Sequence, residues 1–142
     1  MITIRYTKTE DCFDIPKQAH AGDAAADGYA AEDAVIDPGD VKPISLGFKC
    51  QFPDTHALLV LPRSGLSLKG ITIANAPGLI DSNYRGVVKA LVLNDSLEWF
   101  EVKRGDRICQ LLLVPVPYVN WEETTSLDES ERGANGFGSS GV

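Results

Sequence analysis

Between residues 41 and 52, Val, Ile, Leu, Phe and Cys mix with polar neighbours over strand-length runs that Pro43 and Gly47 interrupt, which predicts short strands. Similar runs span residues 2–6, 57–61, 87–94, 97–102 and 108–116, with Gly, Pro, Asp and Asn between them. Many short strands punctuated by turn residues predict a small all-β sandwich or barrel. Asp37-Pro38-Gly39-Asp40 is a turn by mechanism, because Pro fixes φ and Gly accepts a positive one. Only residues 63–69 lack strand chemistry while containing good helix formers, so one short helical turn is placed there. After Val119 the apolar pattern gives way to Glu, Ser, Thr and Gly, which predicts a mobile arm. The chain thus divides into a β domain over residues 1–118 and a C-terminal arm over residues 119–142. Composition alone reads such an end as a frayed terminus, but Arg132 and Phe137 embedded in it are residues with chemistry to offer.

Length and composition narrow the classes. At 142 residues the chain has material for one core. It holds no apolar run long enough to cross a bilayer and begins with no basic, small-residue leader, so a soluble, cytoplasmic protein without a membrane partner is expected. A net charge of -7, with no run of Lys and Arg gathered together, argues against nucleic-acid binding. A compact polyanion such as a triphosphate is a different case, because a few arginines, backbone amides and a divalent cation bind it inside an acidic protein. Cys12, Cys50 and Cys109 lack metal-ligand spacing, and an odd count argues against a disulfide framework. With only His20 and His56 present, a histidine-rich metal site or a Cys/His nucleophile pair has little to draw on.

Three segments carry candidate chemistry. Pro62-Arg63-Ser64-Gly65 lies where a strand ends and the helical turn begins, so it reads equally as a phosphate cradle of amides, hydroxyl and guanidinium or as a capped turn with a surface arginine. The stretch from Pro77 to Gly86 joins two strands as a β-hairpin lip and sets Asp81 three residues before Tyr84. There Asp81 could take a proton from water and Tyr84 could offer a flat face to a sugar or base, although each segment taken alone also reads as a turn acid and a half-buried aromatic. Gln110 is an amide set among Ile, Cys and Leu, which either holds a structural hydrogen bond or orients a water. Asp106 and Arg107 read as a structural ion pair.

In their order along the chain, these segments resemble the five motifs of the homotrimeric dUTPase family. Residues 21–33 are similar to motif I, 62–70 to motif II, 75–94 to motif III, 104–116 to motif IV and 132–141 to motif V, so the resemblance spans nearly the whole chain. It implies a distorted jelly-roll β-barrel with one short helix and a flexible arm, assembled as a cyclic trimer whose three sites draw on all subunits. It also implies cleavage of dUTP to dUMP and pyrophosphate, with Mg2+ as cofactor. By this resemblance Asp81 is the general base, Gln110 orders the attacking water, and Asp27 reaches the magnesium through water.

Arg63, Ser64 and Gly65 match the phosphate-binding residues of motif II. Arg132, Gly138, Ser139 and Ser140 match the arm that closes over the phosphates, and Phe137 matches the aromatic that stacks on uracil. Tyr84 matches the residue packing on deoxyribose, Asn75 a polar contact near the base, and the backbone between Gly78 and Lys89 the part that reads uracil. The chain departs from the commonest family pattern at Ala25 and Gly28, where Gly and Leu are usual, at Asn83, where an acid is usual, and at Asn135, where Gly is common.

Two alternatives share the resemblance. A dCTP deaminase or bifunctional deaminase needs a glutamate on the strand after motif III, and residues 87–94 contain none. A phage-type regulatory protein binding a repressor would need a protein partner, which no sequence feature identifies.

Overall fold

The computed structural model describes residues 2–136. Eleven short strands and one helical turn follow one another: β1 Arg5–Lys8, β2 Ala26–Tyr29, β3 Ala34–Ile36, β4 Val41–Ser45, β5 Phe48–Gln51, β6 His56–Leu61, α1 Ser64–Ser67, β7 Ile71–Ile73, β8 Gly78–Ile80, β9 Lys89–Asn94, β10 Phe100–Val102 and β11 Arg107–Pro115. All strand pairs are antiparallel, in four sheets ordered β1-β5, β10-β3, β2-β11-β6-β8 and β4-β9-β7. Together they form the distorted jelly roll expected.

Alternation decides which side chains go inside. In β9 the sequence Lys-Ala-Leu-Val-Leu-Asn buries Ala90, Val92 and Asn94, and in β5 Phe48 and Cys50 point inward while Lys49 and Gln51 stay exposed. With Ile36, Ile44, Leu46 and Val102, the residues Ala90, Val92, Phe48 and Cys50 belong to one continuous core, each fully buried aliphatic side chain contributing roughly 1.5–3 kcal/mol of transfer free energy. The break between β4 and β5 falls at Gly47, whose φ is 74 and where a Cβ would lie 2.5 Å from the Cα of Cys12. Pro43 is tolerated within β4 because that strand pairs on one side only, with β9. The turn at 37–40 forms as expected: Asp40 N donates to Asp37 O at 3.0 Å across Gly39, whose φ is 83.

Two expectations need correction. The stretch from Pro77 to Gly86 does not make a simple hairpin, since β8 pairs with β6 while β9 pairs with β4 and β7. The segment is a long connection from β7 to its partner β9, and β8 docks sideways onto another sheet. The strand anticipated over 97–102 starts only at Phe100. The buried Asn94 is the reason: its Nδ2 donates to Ile36 O and Glu98 O at 2.8 and 2.7 Å, and its Oδ1 accepts from the amide and hydroxyl of Ser96. Satisfying that side chain curls the backbone into a turn before β10 can begin.

After Pro115 the chain makes no further strand or helix among the described residues, and 115–136 are exposed throughout. The three cysteines are free thiols. Burial pushes the Cys109 thiol up to about 12, so it stays protonated and inert inside the core. No described helix is long and apolar enough to cross a membrane.

Candidate active site

β11 lies between β2 and β6, and its register places Gln110 opposite Asp27 on one side and opposite Leu61 on the other. Arg63 follows two residues after Leu61, at the start of α1. The sheet thereby brings together a carboxylate, an amide and a guanidinium from distant parts of the chain, in a cavity of about 390 Å³ also lined by His20, Asp23 and Arg107.

The Asp27 side chain is only 8% exposed. Its Oδ1 accepts from Arg63 Nε at 3.1 Å and its Oδ2 from Arg107 Nη1 at 3.3 Å, while Arg63 Nη1 also donates to Arg107 O at 2.9 Å. A buried carboxylate needs such partners, and here two guanidiniums supply them. The same bonds fix the arginines. Arg63 keeps further N–H donors beyond the two it spends internally, and Arg107 is half-exposed, so the cleft presents cationic donors held in place before any ligand arrives.

The sequence pairs Arg107 with Asp106. In the structure it pairs with Asp27, and Asp106 Oδ2 instead accepts from the amide of Lys103 at 2.9 Å. The reason is an irregularity in the pairing of β11 with β2 between Arg107 and Cys109. Residues 107 and 110 would face opposite sides of a regular strand, and the bulge brings both to the cleft. Gln110 lines the cavity, and its side chain makes no hydrogen bond among the described residues. The structural-bond reading of this amide therefore has no partner to rest on.

At α1 the amides of Leu66 and Ser67 both donate to Arg63 O, so Ser64 and Gly65 precede the first amides bonded within the turn. Both residues are exposed and beside Arg63, the arrangement a phosphate cradle requires.

The second group of expected residues lies on the β7–β9 connection. Asp81 is exposed, and its carbonyl accepts from Tyr84 N at 3.1 Å, which closes a turn. Arg85, not singled out from the sequence, clamps that turn by donating through Nη1 to Ser82 O at 2.7 Å and Tyr84 O at 2.8 Å. The Tyr84 hydroxyl donates to Val87 O at 3.3 Å. The Asn75 amide packs close to Gly78, whose added Cβ would meet its Oδ1 at 3.2 Å. Lys89 opens β9 and is exposed.

Asp81 and Tyr84 do not line the arginine cleft, and no hydrogen bond or ion pair among the described residues joins them to Asp27, Arg63 or Gln110. The expected residues thus fall into two separate groups on the chain. Arg132 sits on the exposed segment after β11, its Nε donating to Asn135 O at 2.8 Å. Phe137, Gly138, Ser139 and Ser140 lie outside the described residues.

The donor set bears on magnesium. No group of three His, Cys, Asp or Glu side chains able to hold an ion occurs among the described residues. Both Asp27 oxygens are engaged by guanidiniums, which fits contact with an ion through water and not direct ligation.

A family model described as dUTPase matches residues 11–141. The deoxyuridine 5'-triphosphate nucleotidohydrolase of Zymomonas mobilis subsp. mobilis is 48% identical to this chain over 128 residues, covering 89% of the chain and 88% of that protein. Its counterpart from Clostridioides difficile is 41% identical over 142 residues, covering 99% of each. Among solved structures, the dUTPase of Staphylococcus bacteriophage 80alpha with dUPNHPP is similar at a TM-score of 0.91 and 26% identity, over 99% of both chains.

Proposed function

This chain belongs to the dUTPase family, and from that premise we propose that it cleaves dUTP to dUMP and pyrophosphate at a site assembled between subunits of a trimer. The observation that carries the shared site is the division of the expected residues into two half-sites on one chain. One holds cationic donors and an unpartnered amide, the other a solvent-facing acid on a clamped turn. Neither is a complete catalyst. A threefold arrangement sets the Asp81 turn of one subunit against the Arg63 cleft of the next.

In that arrangement Asp81 accepts a proton from water as the water oxygen attacks the α-phosphorus. The bond from that phosphorus to the bridging oxygen breaks, and pyrophosphate leaves with the electron pair. Gln110 hydrogen-bonds the attacking water. Arg63, Ser64 and Gly65 hold the phosphates, and their value lies in being fixed before the reaction, since preorganised donors stabilise developing charge without reorganising. Arg107 serves the same cleft by sharing Asp27 with Arg63.

Asp27 would meet magnesium through water, and the ion would lower the triphosphate charge that the cleft must neutralise. From the arm over residues 119–142, Arg132, Ser139 and Ser140 serve the phosphates, Phe137 serves the uracil, and Gly138 belongs to the same substrate-binding segment.

Base selection follows from the connection between Gly78 and Lys89. A site whose backbone satisfies the donors and acceptors of uracil leaves buried groups unpaired when cytosine enters. The deaminase alternative lacks its general base, because β9 contains no glutamate. No feature of the described residues favours a regulator without turnover.

The test is pyrophosphate release from dUTP, dTTP, dCTP and UTP side by side, with and without magnesium. Release from dUTP alone, and only with magnesium, is expected. Comparable release from dCTP or UTP, or full activity in chelator, would contradict the assignment.

A further inference from the structure

Gly86 lies two residues after Tyr84, and a Cβ built on it would overlap Oη and Cζ of the Tyr84 ring and come within 2.9 Å of Cε2. The ring thus folds back over the Cα of Gly86, with its hydroxyl tethered to Val87 O. Gly86 is absent from the glycines with positive φ, so its backbone accepts any residue. Space for the ring, and not main-chain freedom, is what requires glycine here. The Arg85 clamp and the Asp81 O to Tyr84 N bond hold the main chain on the other side, which leaves the ring only its own torsions to adjust. Tyr84 remains 45% exposed, so the side turned away from Gly86 is available to a ligand.

We propose that Gly86 is a specificity-determining residue that acts through Tyr84. Its missing side chain lets the ring sit low enough for the open side to meet deoxyribose while leaving no room for a 2′-hydroxyl. The proposal rests on Tyr84 being the sugar contact. A methyl at position 86 overlaps the ring where it now sits and turns it aside from the sugar, which loosens the contact with deoxyribose and opens space for a 2′-hydroxyl, so the ratio of kcat/KM for dUTP to that for UTP falls.

The experiment measures that ratio for the wild-type protein, Gly86→Ala, Tyr84→Ala and the double variant, and follows the ring by fluorine NMR of protein containing 3-fluorotyrosine. The chain has four tyrosines, and Tyr84→Phe identifies the Tyr84 signal. Gly86→Ala is expected to shift that signal and lower the ratio by at least about tenfold, and to change the ratio no further in the Tyr84→Ala background. An unshifted signal with an unchanged ratio would overturn the proposal. A shifted signal with an unchanged ratio would instead remove Tyr84 as the sugar contact, and the specificity claim with it. If Gly86→Ala fails to fold, recovery of folding in the double variant supports the ring clash, and failure of both overturns it.

Discussion

At the scale of single residues, burial and bonding separate the groups that hold the site from those proposed to act in it. Asp27 is buried and spends both oxygens on arginines, whereas Asp81 is exposed on a turn held by backbone and Arg85 contacts that leave its carboxylate uncommitted. Replacing Asp81 with Ala should therefore leave nucleotide binding nearly intact and lower kcat at least about a hundredfold, as expected for loss of a positioned base. Steady-state kinetics beside calorimetric binding of a nonhydrolysable analogue checks this; near-normal kcat would remove Asp81 from its role.

Gly28 makes a stability prediction of the same kind. A Cβ there would lie 2.6 Å from Cys109 Sγ, so the buried sulfur occupies space that a larger residue at 28 would need. This accounts for glycine at that position in this chain. Gly28→Ala should cost about 1–3 kcal/mol, seen as a lowered thermal midpoint at fixed protein concentration, and Cys109→Ala should restore much of it. A single variant as stable as the parent would contradict the packing argument.

At the scale of elements, strands with clear alternation were legible in the sequence. β5 shows inward apolar and outward polar positions, β9 and β11 stand out as apolar runs of strand length, and the turn at 37–40 and the helical turn after Arg63 follow from residue chemistry. The four-residue β2, Ala-Asp-Gly-Tyr, and the three-residue β8, Gly-Leu-Ile, carry too few positions for a period to register, and their pairing depends on distant partners. The docking of β8 onto β6, which removes the hairpin, is likewise a long-range choice. Of the candidate site, Arg63, Asp81 and Gln110 could be picked out by motif order, while Arg107 was hidden by a bulge that alternation cannot anticipate.

The C-terminal segment gives the prediction at this scale. Residues 116–136 are exposed and add no strand, and their bonds to the barrel fall at the near end, where Val116 N donates to Thr55 O at 2.8 Å and Tyr118 bonds Asp54, well before residue 132. Removing residues 132–142 should leave the oligomer and its melting temperature unchanged and reduce turnover severely, because the proposed lid is gone. Size-exclusion chromatography with light scattering, beside the pyrophosphate assay, tests both halves; dissociation would mean that the tail is structural.

At the scale of the whole molecule, the proposed trimer joins two groups of residues that one chain keeps apart. The Asp27, Arg63 and Gln110 cleft is built by the four-stranded sheet, and the Asp81 turn is carried by the connection to β9 in another sheet. Mixing two inactive variants tests the shared site directly. The proposed trimers of Asp81→Ala and of Arg63→Ala are dissociated, combined in equal amounts and reassembled, and pyrophosphate release is measured. If one subunit supplies the acid and its neighbour the arginine, random assembly leaves both groups intact in about a quarter of the sites, and activity returns to about that fraction of wild type. If a site is formed within one chain, every site keeps a lesion and the mixture stays as inactive as its parents.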